Sequence, residues 1–515
     1  MTDPGMGSDV TGYARSAPTV LAPASVREVR QIVRDARRTG LPIHPVSTGM
    51  NWGYGSMSPP LPGCTVVHLG RMNRIRNADE IDVDNPVALI EPGVTQRQLH
   101  EFLLAKAPSL MFNVTGAAAD TSILGNALDG GVGYLSPRRT DIFGLEVVLG
   151  TGKILRTGFR RLGRHSRLAG SHPYGLGPAL DGLFVQGNLG VVTSAYFKLR
   201  PRPPVQVALS LSLTRAEGLA PFVDALMALK REGVLPTITH VGNRHRTHAT
   251  LVHGVVDYLV GRCGFTAARA AAEAGRVVAH FAPTEWSGLA SVGGTAAQVK
   301  AAVSEVRRRL AGLARVTTVT DRRLSLAHAV ADRCRAVPLA RALAAVTATV
   351  RPLHGLALGV PTDAPVLGLL HAIDRHDLPA TSLDESRCGL IYICPALPCH
   401  GADVAALLGR MAQRARGHGH DLHVTVNVET DTSMVAVTNL LFDRSDAEQV
   451  ARAHRCADAL LAEIHGAGLE VYRARSDMMA DVVGRHSAHW GHVRNLKQVF
   501  DPQNIISPGR YNLPA

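Results

Sequence analysis

Val46-Ser47-Thr48-Gly49-Met50-Asn51-Trp52-Gly53-Tyr54-Gly55-Ser56-Met57-Ser58 is the stretch on which the reading of this chain turns. It follows a strand-like segment, LPIHPVST (41–48), and places glycines at 49, 53 and 55. Glycine lets the backbone approach a ligand closely, and successive N–H groups in such a loop can face inward as an anion nest. Pyrophosphate suits a nest of this kind, although the same glycines also serve a plain structural turn. The spacing is neither the GxGxxG of a dinucleotide fold, which needs a βαβ crossover and a later acidic residue, nor a GxxxxGK[ST] loop.

Upstream, Ser25 is placed to cap a helix, VREVRQIVRDARRTG (26–40), whose apolar Val26, Val29, Ile32, Val33 and Ala36 recur at helical spacing and which Gly40 ends. Downstream come strand-like CTVVHLGRM and PVALIEPGVT, and a helix over TQRQLHEFLLAKA. A small-residue segment follows, FNVTGAAADTSILGNALDGGVGY (112–134), and then a strand pair around Gly-Thr-Gly in GLEVVLGTGKILRTG (144–158). Residues 206–460 change texture. Helical stretches at 216–231, 265–281, 295–314 and 402–417 alternate with strand-like VALSLSLT, LARVTTVT, GLIYICPA and VAVTNLLF. This predicts an α+β unit with antiparallel strands on one side and helices on the other.

The 515 residues carry 55 basic and 42 acidic side chains, a formal charge of +13. Six of the basic residues are lysines and 49 are arginines, spread along the whole length, and aromatics make up only 4%. Stacking platforms interleaved with basic residues are therefore too sparse for nucleic-acid binding. No apolar run approaches the roughly 18 residues of a membrane span, and residues 1–18 show no secretory signal, so a soluble cytoplasmic protein is expected. The seven cysteines show no CxxC spacing and read as reduced thiols. His486, His489 and His492 recur every three residues, but the third rotates off the helix face, and no metal site is expected.

The loop STGMNWGYG resembles the diphosphate loop of the vanillyl-alcohol oxidase/p-cresol methylhydroxylase family of FAD enzymes. The resemblance recurs in order through EPGVTQRQLHEFL (91–103), SILGNALDGGVGY (122–134), GLEVVLGTGKILRTG (144–158), PYGLGPALDGLFVQGNLGVVT (173–193), VYRAR (471–475) and FDPQNIISPGRY (500–511). The fold it implies is α+β: a two-lobed FAD-binding domain from both chain ends (1–205 and 469–515), with a central α+β cap (206–468) holding the substrate. FAD would be held by Ser47, Thr48, Gly49, Met50, Asn51, Trp52, Gly53 and Tyr54, by Ser122, Gly125 and Asn126, by Glu146, Val191, Val192 and Thr193, and by Arg510. His44, just before the loop, reads as a packed strand residue close enough to approach the flavin.

Tyr54, Tyr472 and Arg473 resemble the two tyrosines and one arginine that bind a phenolate oxygen in this family. Two hydroxyls and a guanidinium converging on one oxygen would stabilise its anion through charge-assisted hydrogen bonds. The implied reaction is hydride removal from a p-substituted phenol, with dioxygen or an electron-carrier protein as acceptor. Other readings stay open: a non-phenolic alcohol or biosynthetic intermediate as substrate, or a non-redox binding protein on the same fold. The family's catalytic aspartate position falls here on Gly116 or Ala117. Asp120, displaced by about one turn, reads either as a substitute base or as a cap for the next helix. Counting back from Pro395 puts Leu390 where several relatives attach FAD covalently, so non-covalent FAD is expected. The resemblance further implies a homodimer, with the apolar helix 447–467 contributing to its interface.

Overall fold

The computed structural model describes residues 9–12, 19–163, 166–371, 373 and 378–512; of the stretch read for a secretory signal, only residues 9–12 fall among them. Ser25 does cap the first helix, Val26–Thr39, accepting from the Glu28 N–H, and Gly40 closes it in the left-handed conformation. The apolar face of this helix buries Val29, Val33 and Ala36 against Ile43, Val67, Val148 and Val191. Each such valine contributes about 1.5–3 kcal/mol on transfer from water. Ile505 and Ile506, near the far end of the chain, join the same cluster. The Ile43 N–H donates to the Ile505 carbonyl, so the last residues are stitched to the first strands.

Two sheets frame this side. Val20–Leu21, Thr65–His68 and Ile43–Val46 form a parallel three-stranded sheet. Val87–Ile90, Gly190–Lys198, Ile142–Leu149 and Ile154–Arg156 form an antiparallel four-stranded one. The third sheet has nine antiparallel strands. Across it run Ala314–Val319, Val205–Leu213, Trp286–Gly294, Thr239–Asn243, His423–Val428, Met434–Asp443, Cys394–Leu397 and Val471–Arg473, with Cys388–Tyr392 also on Met434–Asp443. The architecture is thus two-lobed α+β. Val471–Arg473 pairs with Cys394–Leu397 before the chain turns back toward Ile43, so the C-terminal segment first completes the large sheet.

Strand periodicity explains how this sheet makes both a core and a cavity wall. In VQVALSLSL (205–213), Val207, Leu209, Leu211 and Leu213 enter the core, while Ser210 and Ser212 face the opposite way onto a cavity. His423–Val428 repeats the pattern: Val424, Val426 and Val428 inward, Thr425 and Asn427 onto the cavity.

Helices do not keep to one side of the sheet, as the alternation of elements suggested. Leu219–Arg231, Ala296–Arg309, Gly401–Gly417 and Ala447–Gly466 cover the apolar face. Arg244–Cys263 lies over the other, its Arg246, Thr247 and Thr250 facing the cavity. The helix Ala447–Gly466 spends its apolar stripe (Ala453, Cys456, Ala457, Leu460, Ile464) in this core, which removes that stripe from any subunit interface. No helix of the described residues is long and apolar enough to cross a membrane.

Candidate active site

One cavity of about 610 Å3 runs from the glycine loop to the polar face of the large sheet. At the loop end, Gly49 and Gly53 both take positive φ (74° and 72°). A Cβ on Gly53 would lie 2.3 Å from the Tyr392 ring, so this glycine admits a strand of the large sheet against the loop. The Tyr392 N–H donates to the Gly53 carbonyl at 3.2 Å, and the Ser476 N–H donates to the Tyr54 carbonyl at 3.0 Å. Three segments distant in sequence are thereby clamped around Tyr54.

The Tyr54 hydroxyl lies 3.1 Å from the Cys394 Sγ, and its ring stacks on Tyr392 at 4.9 Å between centroids. The Arg473 guanidinium covers the other part of the ring, 3.9 Å from its centroid. Burial, then the neighbouring Cys394 and Tyr472, push the Tyr54 hydroxyl well above its ordinary pKa. Burial and Cys394 do the same for Tyr472. Both remain protonated, and so remain hydrogen-bond donors, throughout the neutral range.

Arg473 departs from the expected geometry. Its Nε donates to Asp129 Oδ2 at 2.7 Å, and its Nη2 reaches Asn51 Oδ1 and Asp129. Two of its nitrogens are therefore committed to the protein, and among the described residues Nη1 has no partner. Burial opposes the charge, but Asp129 and the two tyrosines outweigh it and hold Arg473 fully cationic. Arg510 pairs with the other oxygen of Asp129. Burial alone would raise the Asp129 carboxyl, but Arg473 and Arg510 prevail and keep it below the usual range. Asp129, in ALDGG, was not singled out from the sequence, where it reads as a turn residue.

Ser47, Thr48, Gly49, Met50, Asn51, Trp52 and Tyr54 line the cavity, as do Gly125, Asn126, Val192, Tyr472, Arg473 and Arg510. His44 also lines it, bonded through Nδ1 to Ser507 Oγ at 2.9 Å, and burial pushes its pKa down to about 3, so it stays neutral. Five expected residues stand back from the wall. Gly53 makes room for Tyr392. Ser122 caps the helix Ile123–Leu128 through the Gly125 N–H, and its own N–H donates to Thr48 Oγ1. Val191 points into the core behind the wall. Thr193 bonds to the Glu146 carbonyl, and Glu146 is engaged by Arg76, Arg156 and Arg160.

Asp120 does not cap the following helix. Arg97 grips it through two hydrogen bonds (2.9 and 3.0 Å) at the surface, outside the cavity lining, and the helix is capped by Ser122. Gly116 and Ala117 form the wall at the family's aspartate position, and Asp129 is the one carboxylate among the described lining residues. No group of three or more His, Cys, Asp or Glu among the described residues is arranged to hold a metal ion.

The loop end fits FAD by its own geometry. A Cβ on Gly125 would meet Ser47 Oγ at 2.1 Å, so the two loops close on each other only because that position is bare. Thr121 Oγ1 and Asn126 Oδ1 are buried at this end without a hydrogen-bond partner, polar atoms in want of a ligand.

Comparison with known proteins agrees. Residues 17–158 match a family model described as an FAD binding domain. Over 504 residues the chain is 30% identical to 1'-carboxy-chondrochloren decarboxylase of Chondromyces crocatus, covering 96% of this chain and 90% of that one. It is 27% identical over 528 residues to the 4-cresol dehydrogenase [hydroxylating] flavoprotein subunit of Pseudomonas putida, covering 97% and 89%. Its fold is that of 4-ethylphenol oxidase from Gulosibacter chungangensis, with a TM-score of 0.79 at 24% identity over 96% and 89% of the two chains. The FAD-cradling loop, the sheet-walled cavity and this full-length likeness together place the chain in the vanillyl-alcohol oxidase/p-cresol methylhydroxylase family of FAD-linked oxidoreductases.

Proposed function

We propose that the protein oxidises a p-substituted phenol at the carbon attached to the para position. The observation that carries this reading is the pairing of two phenols held protonated through the neutral range, Tyr54 and Tyr472, with the cationic Arg473 among the residues lining the cavity. The two hydroxyls donate to the substrate's phenolic oxygen, and the free Nη1 of Arg473 supplies the third donor. Charge-assisted bonds of this kind contribute about 1.5–3 kcal/mol each and favour the phenolate. A phenolate pushes electron density toward its para carbon, which lets hydride leave the attached carbon. FAD, when bound, supplies the hydride acceptor. Asp129 is occupied by Arg473 and Arg510, so its role is to fix their orientation; the phenol, its pKa lowered by these donors, gives its proton to solvent water as it binds and reacts as the phenolate.

The name of one relative, a 4-cresol dehydrogenase, supports a phenolic substrate. The final electron acceptor in this reading is dioxygen or a carrier protein. FAD is held without a covalent bond: Leu390 lines the cavity where an attaching side chain would stand, and Cys388 is turned away, its thiol directed to the Leu369 carbonyl. Denaturing the protein in acid then releases all flavin; fluorescence retained on the chain contradicts this. The reaction class is tested by an anaerobic screen of phenols, alcohols and hydroxy acids, read as loss of flavin absorbance. Bleaching by p-alkylphenols is expected, and bleaching confined to aliphatic alcohols overturns the reading.

A further inference from the structure

Toward the polar face of the large sheet, the cavity is lined by a cation with no counter-ion among the described residues. Arg246 lies in the first turn of the helix Arg244–Cys263 and lines the cavity. Its Nη1 is buried without any hydrogen-bond partner, and among the described residues no carboxylate pairs with it. The other arginines on the wall are accounted for: Arg473 and Arg510 share Asp129, and Arg315 is exposed. An enclosed charge left unpaired is costly, and a guanidinium fork matches the two oxygens of a carboxylate.

The cavity wall around Arg246 is polar. His240 bonds through Nε2 to the Gly133 carbonyl at 3.2 Å and stacks on Tyr134. Burial pushes both His240 and His423 down to about 4, with Arg246 adding to the effect, so neither carries charge at neutral pH. Asn427 faces the same space, beside His240. The N-terminus of the 20-residue helix adds its partial positive charge. Tyr392 lines the same cavity. The Tyr392 ring stacks on Tyr54, and burial pushes the Tyr392 hydroxyl up against the opposing charge of Arg246.

We propose that Arg246 anchors a carboxylate carried by the substrate, so that the substrate is a p-substituted phenol with an anionic side chain. The proposal rests on the phenol reading for the other end of the molecule, and its test separates the two. Three probes without a removable sp3 C–H are titrated into the FAD-loaded protein by calorimetry: 4-hydroxycinnamate, 4-vinylphenol and cinnamate. 4-Hydroxycinnamate is expected to bind at least about tenfold tighter than 4-vinylphenol. Arg246→Met should remove that advantage, and Arg246→Lys, which keeps the charge without the fork, should retain part of it. Equal affinities in the unmodified protein, or an advantage that survives Arg246→Met at unchanged FAD content, overturn the proposal. If 4-vinylphenol fails to bind while cinnamate binds through Arg246, the carboxylate site stands and the phenol reading falls. If both phenols bind alike, the reverse holds.

Discussion

The two ends of the cavity handle charge in opposite ways. At the phenol end, Arg473 and Arg510 are held by Asp129, with Asn51 completing the set. At the cap end, Arg246 stands beside neutral histidines, with no carboxylate paired to it among the described residues. The first arrangement is built to be rigid before a ligand arrives, and the second to be completed by one. On the proposed reading, the chemistry sits at the first end, and the polar face of the large sheet recognises the rest of the substrate.

The sharpest way to break this contrast is to remove the compensating charge. Asp129→Asn leaves two buried guanidiniums facing each other, and loss of one partner of a buried pair costs about 3–5 kcal/mol. Denaturant unfolding should show that loss; a change below about 1 kcal/mol would mean that the phenol end is not held by Asp129.

Tyr54→Phe removes one donor to the phenolate and leaves the Cys394 thiol without its hydroxyl partner. The expected loss in kcat/KM on a p-alkylphenol is about 30-fold, roughly 2 kcal/mol of transition-state stabilisation. A loss of threefold or less would return the tyrosine to a packing role.

The cap end is sharpened by acid. His423 has a folded pKa of about 4 against an ordinary value near 6.5, so between those values the unfolded chain takes up a proton that the folded chain does not. Stability contributed by His423 is therefore present above pH 6.5 and falls as pH drops, by about 1.4 kcal/mol per unit down to pH 4. His423→Asn should flatten the melting-temperature profile over that window, and an unaltered slope would contradict neutral burial.

Asp120→Asn should matter least. Its bond to Arg97 is a half-exposed surface pair, so stability should change by less than about 1 kcal/mol and phenol turnover should persist. Loss of turnover would restore Asp120 as the base.

Local signals in the chain carried much of this. The Ser25 cap, the Gly40 stop and the glycine loop each depend on a few adjacent residues, and each reads directly. Asp129 does not, because its partners Arg473 and Arg510 lie 344 and 381 residues away and nothing in ALDGG points to them. Arg246 sits in RHRTH, where several basic residues in a row read as a solvated face, and only the sheet packed beneath the helix turns one of them inward. VALSLSLT reads as a strand at once, yet its serines become a cavity wall only when strands further along the same sheet supply His240 and Asn427. Asp120 misleads for the opposite reason: its residue type fits the chemistry, but one turn of displacement delivers it to Arg97.

The central claim is that an ionisable phenol oxygen, gripped by Tyr54, Tyr472 and Arg473, drives oxidation of the para substituent. It is tested most directly by anaerobic addition of 4-ethylphenol and, separately, of its methyl ether to the FAD-loaded protein, following the flavin's blue absorbance. The account predicts bleaching by the phenol and none by the ether, whose oxygen cannot become a phenolate. Equal bleaching by both, or bleaching by neither any p-alkylphenol nor any carboxylate-bearing phenol, would contradict it.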